Sequence, residues 1–296
     1  MTLDILYRGP LASCNYGCAY CPFAKRRDDR AALTRDRAAW ERFVGWLTAQ
    51  GAGSFGVLVT PWGEALIRRW YRDGMIALSH LPQIHRVAAQ TNLSCELGWL
   101  ADADPARLAL WCTYHPGWTS LDDFAARCAR LTALGVSHSV GVVGEPAHLA
   151  AAAALRRALP ADTYVWINAV KAHPYTPDEI AAWEAIDPLF RLNLQRYPSL
   201  GAPCGAGSRA ITVDGDGVMR RCHFIAEPIG NLYAPDWRAA LTPRTCTNAD
   251  CHCHIGYVHL DHLELTKLFA GGLLERVPVP EARAARPLPV VRAPSR

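Results

Sequence analysis

Three cysteines lie within eight residues near the start of the chain, in the segment Cys14-Asn-Tyr-Gly-Cys18-Ala-Tyr-Cys21. Closely spaced thiolates bind soft metal centres, and a tetrahedral zinc ion or a cubane of four irons takes four ligands. Three thiolates in one loop therefore indicate a metal centre with one coordination position left open, and an open position is where chemistry takes place.

Two other interpretations of the triplet are less favoured. Zinc sites usually combine Cys-x-x-Cys pairs that are set well apart. A disulfide framework belongs to a small chain in an oxidising compartment, whereas this chain has 296 residues. A chance cluster of buried cysteines is disfavoured because Asn15, Gly17 and Pro22 are typical of a loop. The triplet is best explained as an iron–sulfur loop.

The order Cys-x-x-x-Cys-x-aromatic-Cys, directly after the apolar segment 3–9, resembles the signature loop of the radical S-adenosylmethionine (SAM) superfamily. The resemblance implies that Cys14, Cys18 and Cys21 hold a [4Fe–4S] cluster. In that family the amino and carboxylate groups of SAM chelate the fourth iron. Tyr20 stands at the family's aromatic position, which lies beside the cofactor.

Composition sets limits on the class of protein. Half of the residues are hydrophobic, one fifth are charged and the formal net charge is +4, which is too small to indicate nucleic acid or a membrane surface as partner. The first residues resemble no signal peptide, and no apolar run is long enough to span a bilayer. We therefore expect a cytoplasmic protein, in which the eleven cysteines serve metals or chemistry.

Apolar and amphipathic segments alternate over the first ~190 residues, a pattern of six strand–helix units. Such repetition predicts a parallel sheet with helices on its outer face. A full eight-fold barrel takes ~250 residues, so an α/β fold with a partial (β/α)6 barrel fits better, and the resemblance implies the same fold. The predicted strands are 3–9, 54–60, 84–91, 107–113, 137–143 and 163–169, and the predicted helices are 34–50, 65–80, 95–104, 120–135, 146–159 and 177–187.

The composition changes near residue 191, which predicts three regions. Residues 1–190 form the partial barrel, and residues 191–260 form a small cysteine-rich extension with a β-hairpin that turns at Asp214-Gly-Asp-Gly217. Residues 261–296 form a C-terminal helix and a loose tail rich in Pro, Ala and Arg. Because the active sites of such sheets lie at the carboxyl ends of the strands, the cysteine loop after the first strand is on the correct side.

Five more cysteines follow in the extension. The arrangement of Cys204, Gly217 and Cys222 resembles the opening half of the SPASM or twitch extensions of radical SAM enzymes, which implies an auxiliary [4Fe–4S] cluster. One cubane needs four thiolates, so one of the last three cysteines is surplus, and the sequence leaves open which one. A structural zinc site is the alternative. The predicted metal ligands of this region are Cys204, Cys222, Cys246, Cys251 and Cys253.

The resemblance also implies a SAM pocket across the strand ends. Trp62-Gly63-Glu64 occupies the place of the family's Gly-Gly-Glu turn, which meets the SAM amino group, although the first glycine is missing. Asn92 follows the third strand, and Thr113 ends the fourth strand, where relatives carry a polar residue for the ribose or carboxylate. Gly144 belongs to a stretch that resembles the family's glycine-rich approach to adenine.

Two neighbouring residues at the end of the fourth strand suggest proton transfer. Tyr114 and His115 are candidates to face the substrate and relay a proton. The alternative is that His115 only caps the loop before Pro116. The isolated Cys95, Cys112 and Cys128 are better explained as core residues.

These inferences predict a radical SAM enzyme that cleaves SAM reductively to a 5′-deoxyadenosyl radical. The radical takes a hydrogen atom from a peptide or protein side chain or from a small molecule, and the auxiliary cluster aids oxidation or substrate binding. The expected reductant is of flavodoxin or ferredoxin type, and no membrane or nucleic acid partner is expected. The alternatives are an iron–sulfur electron-transfer protein without SAM chemistry and a zinc-stabilised nucleic-acid binder.

Overall fold

A computed structural model of the chain describes residues 2–24 and 26–283. The predicted tail beyond residue 283 lies outside the described residues. The chain has a mixed α/β fold built on one large, mainly parallel sheet. None of the helices in the described part is both long and apolar enough to cross a bilayer.

Six parallel strands come first along the chain and lie side by side in sequence order. Their side chains alternate between the two faces, so that Leu3, Ile5 and Tyr7 pack against the helices while Leu6 faces the opposite side. The strands are β1 (Thr2–Arg8), β2 (Ser54–Val59), β3 (Ile84–Thr91), β4 (Leu108–Tyr114), β5 (Ser137–Val143) and β6 (Val165–Asn168).

Helices connect these strands and cover one face of the sheet. Their buried aromatic side chains form the main core, in which the ring of Phe43 stacks on Tyr7 with 4.6 Å between ring centroids. The connecting helices are α1 (Arg30–Thr48), α2 (Arg69–Ser79), α3 (Leu121–Ala133), α4 (Leu149–Ala158), α5 (Pro177–Glu184) and α6 (Phe190–Leu194), with 3-10 turns at Gly98–Asp102 and Pro146–His148.

Two helices begin with capping hydrogen bonds of the kind that their sequences favour. Thr176 and Glu179 form the reciprocal hydrogen bonds of a capping box at α5, and Ser120 caps α3 through the amide of Asp123.

Two predicted helices are shorter than expected. Only Gly98–Asp102 of the predicted helix 95–104 is helical, as a 3-10 turn. Residues 65–68 form a turn before α2 because the Glu64 side chain accepts from the amide of Leu66.

The predicted hairpin is present and continues the large sheet. Strand β9 (Ala210–Asp214) pairs parallel with β1, then β10 (Val218–Arg220) and β11 (Pro228–Asn231) follow antiparallel, giving the order β11-β10-β9-β1-β2-β3-β4-β5-β6. The hairpin therefore shares a sheet with the six first strands. The remaining short strands are β7 (Tyr197–Pro198), β8 (Pro203–Cys204), β12 (Arg244–Thr245) and β13 (Asp250–Cys251).

The last described segment covers the second face of the sheet, which we call the inner face. Tyr257, Phe269 and Leu274 pack there with Trp111 and Trp166 of β4 and β6. This segment contains α7 (His254–Tyr257), α8 (Leu265–Leu268) and α9 (Pro280–Arg283), besides a 3-10 turn at Asp261–Leu263; another 3-10 turn, Trp237–Ala240, precedes it.

Candidate functional site

The cysteine triplet lies in the loop that follows β1, at the carboxyl edge of the parallel strands. Cys18 is buried, while Cys14 and Cys21 are partly exposed. Cys21 N donates to Cys18 O over 3.2 Å, which folds the second half of the triplet into a tight turn. The three thiols thus lie where active sites of parallel sheets are usually found.

Two carboxylates hold the base of this loop. Asp28 Oδ2 accepts from the amides of Ala12 and Ser13 at 2.9 and 2.8 Å and from the Ser13 hydroxyl at 2.5 Å. The buried Asp36 accepts from Leu11 N at 3.1 Å. Hydrogen bonds to a charged acceptor are stronger than neutral ones, so the chain is fixed directly before Cys14.

A backbone contact joins the loop to the turn after β2. The amide of Gly63 donates to Leu11 O at 3.1 Å, and the amide of Glu64 donates to Ser13 O at 3.1 Å. A Cβ atom at Gly63 would lie 2.1 Å from Ser13 O, so only glycine fits there. Gly63, the second residue of the predicted Gly-Gly-Glu turn, is therefore needed for close packing against Ser13. Trp62, which replaces the first glycine of that turn, does not prevent this contact.

Glu64 is a buried clamp between strand ends. Its Oε1 accepts from Leu66 N and from the Thr91 hydroxyl, and its Oε2 accepts from Asn92 N at 2.7 Å. Burial raises the pKa of Glu64, although these hydrogen bonds oppose the shift. The Glu64 side chain thus orients Asn92, whose amide Nδ2 lies 3.7 Å from Cys14 Sγ.

His115 lies against the cysteine loop from the end of β4. Its Nδ1 atom is 2.9 Å from the Tyr20 hydroxyl and 3.6 Å from Cys18 Sγ. Burial, with a smaller effect of His148, lowers the pKa of His115 to about 4, so the ring is neutral at neutral pH. The structure therefore brings together Cys18, Tyr20 and His115, three residues that the sequence placed near one site.

The neighbouring Tyr114 does not reach this site. Strand alternation turns it to the helix-covered face, where it is buried and its ring lies 5.1 Å from that of Phe124. This placement corrects the suggestion that Tyr114 faces a substrate. Thr113, by the same alternation, lies on the inner face with Trp111.

One glycine lies within β5 and another follows it, and each is needed for a different packing reason. A Cβ atom at Gly141 would lie 2.0 Å from the ring of Trp166, so this glycine makes room for an aromatic side chain. Gly144 N donates to Asn168 O at 2.9 Å, and its carbonyl accepts from the Tyr175 hydroxyl at 2.7 Å. Gly144 lies at the carboxyl edge beyond β5, near the end of β6.

The second cysteine set gathers around the hairpin and the strands that follow it. Cys204 ends β8, Cys222 follows β10 and Cys246 follows β12, and the pairing of β8 with β12 holds Cys204 and Cys246 close. Cys251 ends β13, and Cys253 directly precedes α7. The predicted core residues Cys95, Cys112 and Cys128 are buried in the main core, as expected.

The two histidines beside Cys253 have other partners. His252 Nδ1 lies 3.1 Å from Asp250 Oδ1. His254 is buried, with its ring 5.5 Å from that of Trp111 and 4.9 Å from that of Phe269. Both rings therefore have contacts that need no metal, although the His254 Nε2 atom has no hydrogen-bond partner.

The charge environment of both thiol sets bears on whether they could hold an iron–sulfur cluster. Burial raises the pKa of Cys14, a hydrogen bond from the Tyr16 amide lowers it, and the negative charges of Glu64, Cys18 and Cys21 raise it further, so ionising the three thiols together is unfavourable. Burial and the neighbouring Cys222, Cys253 and Cys246 likewise raise the pKa of Cys251 to about 12. A cationic group bound to the sulfur atoms would offset the cost of ionising these thiols, and both thiol sets fit such a group.

Within residues 2–24 and 26–283, no three His, Cys, Asp or Glu side chains are grouped so that they could hold a single metal ion. A cubane differs in this respect because each thiolate binds a separate iron atom, so its ligands need not converge on one point. We therefore compare these cysteines with the ligands of an iron–sulfur cluster and not with those of a single metal ion.

Sequence reasoning missed a set of basic and aromatic side chains near these cysteines. The guanidinium of Arg8, at the end of β1, lies 4.6 Å from the ring centroid of Trp62, whose ring is 5.2 Å from that of His223. Arg276 lies over Trp166 at 4.7 Å. Side chains alternate along β1, so Arg8 could have been predicted to share the inner face with Leu6. Nothing in the sequence around Arg276 predicts that it reaches the same face.

Comparison with known proteins identifies the fold. No protein-family model and no curated protein sequence matches the chain. Among solved structures, a hexahistidine-tagged anSMEcpe with bound AdoMet matches with a TM-score of 0.51 and 12% identity, over 81% of this chain and 80% of that chain. The native anSMEcpe with bound AdoMet and Cp18Cys peptide matches with a TM-score of 0.51 and 12% identity, over 93% of this chain and 98% of that chain. The chain thus shares the fold of an AdoMet-binding protein over most of its length.

Proposed function

We propose that this protein is a radical SAM enzyme with one auxiliary iron–sulfur cluster. The observation that carries the proposal is the environment of the cysteine loop. Cys14 and Cys18 lie at the carboxyl edge of a parallel sheet, where Asn92 from β3 and His115 from β4 reach their sulfur atoms. The shared fold with AdoMet-bound anSMEcpe supports the same assignment.

Cys14, Cys18 and Cys21 would hold the catalytic cluster. A cluster held there would supply the electron for the reductive cleavage of SAM to methionine and a 5′-deoxyadenosyl radical, which would take a hydrogen atom from the substrate. The chain's own contribution is to fix the base of the loop through Asp28 and Asp36. Two of the three thiols are partly exposed, so the cluster would have one open side toward SAM.

The SAM pocket in this proposal runs along the strand ends. Tyr20 belongs to the cysteine loop, the turn at Gly63 and Glu64 lies next to that loop, and Asn92 lies beside Cys14. Thr113 and Gly144 extend the same edge toward β6. Because both Glu64 oxygens accept hydrogen bonds from the protein, the role of Glu64 is to shape the turn, and backbone groups are left to meet the SAM amino group.

The remaining parts of the proposal concern architecture and partners. The strands β1 to β6 would form a partial (β/α)6 barrel, and the region from residue 191 would be a SPASM- or twitch-like extension. Four of its five cysteines would hold the auxiliary cluster, which aids oxidation or binds the substrate. The reductant would be a flavodoxin- or ferredoxin-type protein, and the substrate a peptide or protein side chain or a small molecule.

The decisive experiment uses protein purified without oxygen and reconstituted with iron and sulfide. Incubation with SAM and dithionite should release 5′-deoxyadenosine and methionine, and a variant with Cys14, Cys18 and Cys21 changed to Ala should release neither. Iron–sulfur signals without any 5′-deoxyadenosine would contradict the proposal and favour an electron-transfer protein. Zinc in place of iron and sulfide would favour the nucleic-acid binder.

A further inference from the structure

Cys18 is the buried member of the cysteine triplet, and a histidine that can donate a hydrogen bond lies next to its sulfur atom. Cys18 is 6% exposed, whereas Cys14 and Cys21 are partly exposed. The Nδ1 atom of His115 lies 3.6 Å from Cys18 Sγ, within hydrogen-bonding range of a sulfur atom. Because water has little access to this sulfur, a donor from the protein acts on it more strongly than on an exposed sulfur.

A tight turn after β4 holds His115 against the cysteine loop. The His115 carbonyl accepts from Trp118 N at 3.0 Å, and Gly117 between them has a φ angle of +87°. Pro116 followed by a glycine with positive φ is the sequence of a type II turn. The Trp118 ring stacks on that of Tyr16, with 5.3 Å between ring centroids. The turn therefore contacts the cysteine loop at both of its ends, which fixes the position of the imidazole.

Tyr20 is a second neighbour of His115 Nδ1. Its hydroxyl oxygen lies 2.9 Å from Nδ1, and the two rings stack with 6.0 Å between their centroids. A neutral imidazole carries one proton, on Nδ1 or on Nε2, and a tyrosine hydroxyl can donate or accept. Two arrangements are therefore available. Either Tyr20 donates to an unprotonated Nδ1, or a protonated Nδ1 donates toward the Cys18 sulfur.

Iron binding by Cys18 would favour the second arrangement. A cysteine that binds a metal has lost its thiol proton, so its sulfur atom carries negative charge and can only accept hydrogen bonds. Hydrogen bonds to a charged acceptor are stronger than neutral ones. The sulfur would therefore draw the single imidazole proton to Nδ1, the nitrogen that faces it.

We propose that His115, in the cluster-loaded protein, donates a hydrogen bond from Nδ1 to the Cys18 sulfur and thereby raises the reduction potential of the catalytic cluster. This inference rests on the proposed function. Reduction adds negative charge to a cluster and its sulfur ligands, so a donor stabilises the reduced state more than the oxidised state. Hydrogen bonds to the sulfur atoms are among the factors that set such potentials. His115 would thus make the cluster easier to reduce by a protein reductant.

The test is a potentiometric titration of the full-length, anaerobically reconstituted protein, followed by electron paramagnetic resonance in the absence of SAM. The signal that is missing when Cys14, Cys18 and Cys21 are changed to Ala belongs to the catalytic cluster. In His115→Leu this signal should shift to a more negative potential. At the wild-type midpoint the ratio of reduced to oxidised cluster should fall about tenfold, which corresponds to about 59 mV for one electron.

Two further variants provide the controls. His115→Asn presents an amide N–H near the position of Nδ1 and should keep most of the wild-type potential. His80→Leu alters an exposed histidine at the end of α2, on the amino edge of the sheet, and should leave the potential unchanged.

Two more measurements separate a hydrogen-bond donor from a merely structural residue. Tyr20→Phe removes the competing hydroxyl, so its potential should equal or exceed that of the wild type. In protein labelled with 15N-histidine, pulsed electron paramagnetic resonance should detect a weak coupling between the reduced cluster and one nitrogen. Both His115→Leu and His115→Asn should abolish this coupling.

The inference is overturned by an unchanged potential in His115→Leu or by the absence of a 15N coupling in the wild type. An equal fall in Tyr20→Phe and His115→Leu would also overturn it, because the tyrosine would then be the donor. Circular dichroism and iron content verify folding, and the 15N coupling with His115→Asn decides if His115→Leu does not fold. Formation of 5′-deoxyadenosine with unchanged potentials would refute this inference alone, whereas failure of the triplet to bind a cluster would also refute the proposed function.

Discussion

Gly63 and Ser13 lie in direct backbone contact, and a single methyl group on Gly63 would come within 2.1 Å of the Ser13 carbonyl oxygen. This contact joins the turn after β2 to the base of the cysteine loop. The position of Cys14 therefore depends on a glycine nearly fifty residues further along the chain. The pair explains why one glycine of this turn is needed while the other can be a tryptophan.

Changing Gly63 to Ala should displace the cysteine loop. Overpacking against side chains typically costs ~1–3 kcal/mol, and here the clash is with backbone that cannot rotate away. We expect lower stability in urea unfolding and reduced iron content after reconstitution. Gly45→Ala is the matched control, because nothing lies within 4 Å of a Cβ atom there and alanine favours a helix by ~0.5–1 kcal/mol. A Gly63→Ala protein with full iron and stability would refute the contact.

A second glycine makes room for an aromatic ring. In Gly141→Ala, the new methyl group would lie 2.0 Å from Trp166, and we expect a loss of ~1–3 kcal/mol in the free energy of unfolding. In a Trp166→Leu background the same change should cost much less, because the ring is gone. A double-mutant cycle measures this coupling. Additive effects would mean that Trp166 is not the reason for glycine at this position.

The stability contributed by Asp36 should depend on pH. Burial raises the pKa of Asp36 above its ordinary value of 3.8, although hydrogen bonds from Tyr71, Trp70 and Leu11 oppose the shift. The folded state therefore keeps the proton to higher pH than the unfolded state does. As the pH rises from 3.8 through the raised pKa, the unfolding free energy of the wild type should fall relative to that of Asp36→Asn.

Urea unfolding of both proteins between pH 4 and pH 7 checks this sign. The free energy of unfolding of the wild type minus that of Asp36→Asn should decrease as the pH rises. Asp102→Asn, a change of an exposed carboxylate, serves as the control and should not reproduce the trend. If this wild-type minus variant value instead increased with pH, the hydrogen bonds would outweigh burial at Asp36.

The two cysteine sets should bind iron independently. Changing Cys14, Cys18 and Cys21 to Ala should remove about half of the iron and sulfide, since one of two equal clusters is lost. Changing Cys204 and Cys222 to Ala should remove the other half and leave the signals of the first cluster. Iron and sulfide analysis with electron paramagnetic resonance measures both losses. Unchanged iron in the triple variant would contradict two separate sites.

The strands were predictable from sequence because buried parallel strands are continuous apolar runs. Strand β3 has the expected bounds of 84–91, and the cap chemistry at Thr176 marked the start of α5. The start of α2 was not predictable. It depends on Glu64, whose side chain binds Leu66 and Asn92 from a buried position that periodicity does not reveal.

The surroundings of the cysteine loop were predictable where residues are close in sequence or follow the end of a predicted strand. The cysteine spacing marked the loop, and strand ends marked Asn92 and His115 as neighbours of it. Long-range partners left no local sign. Arg276 reaches the inner face through a left-handed backbone residue near the end of the described chain, and Asp28 binds the loop base through a contact between two irregular segments.

The parallel pairing of β9 with β1 has a consequence for the movement of electrons. Asp214 lies in register with Arg8, so the hairpin that leads to Cys222 and the strand that leads to Cys14 belong to one hydrogen-bonded sheet. No flexible tether intervenes between these two strands. If the two thiol sets hold the proposed clusters, this shared sheet would link them, and electron tunnelling between the clusters would not have to wait for a hinge to close.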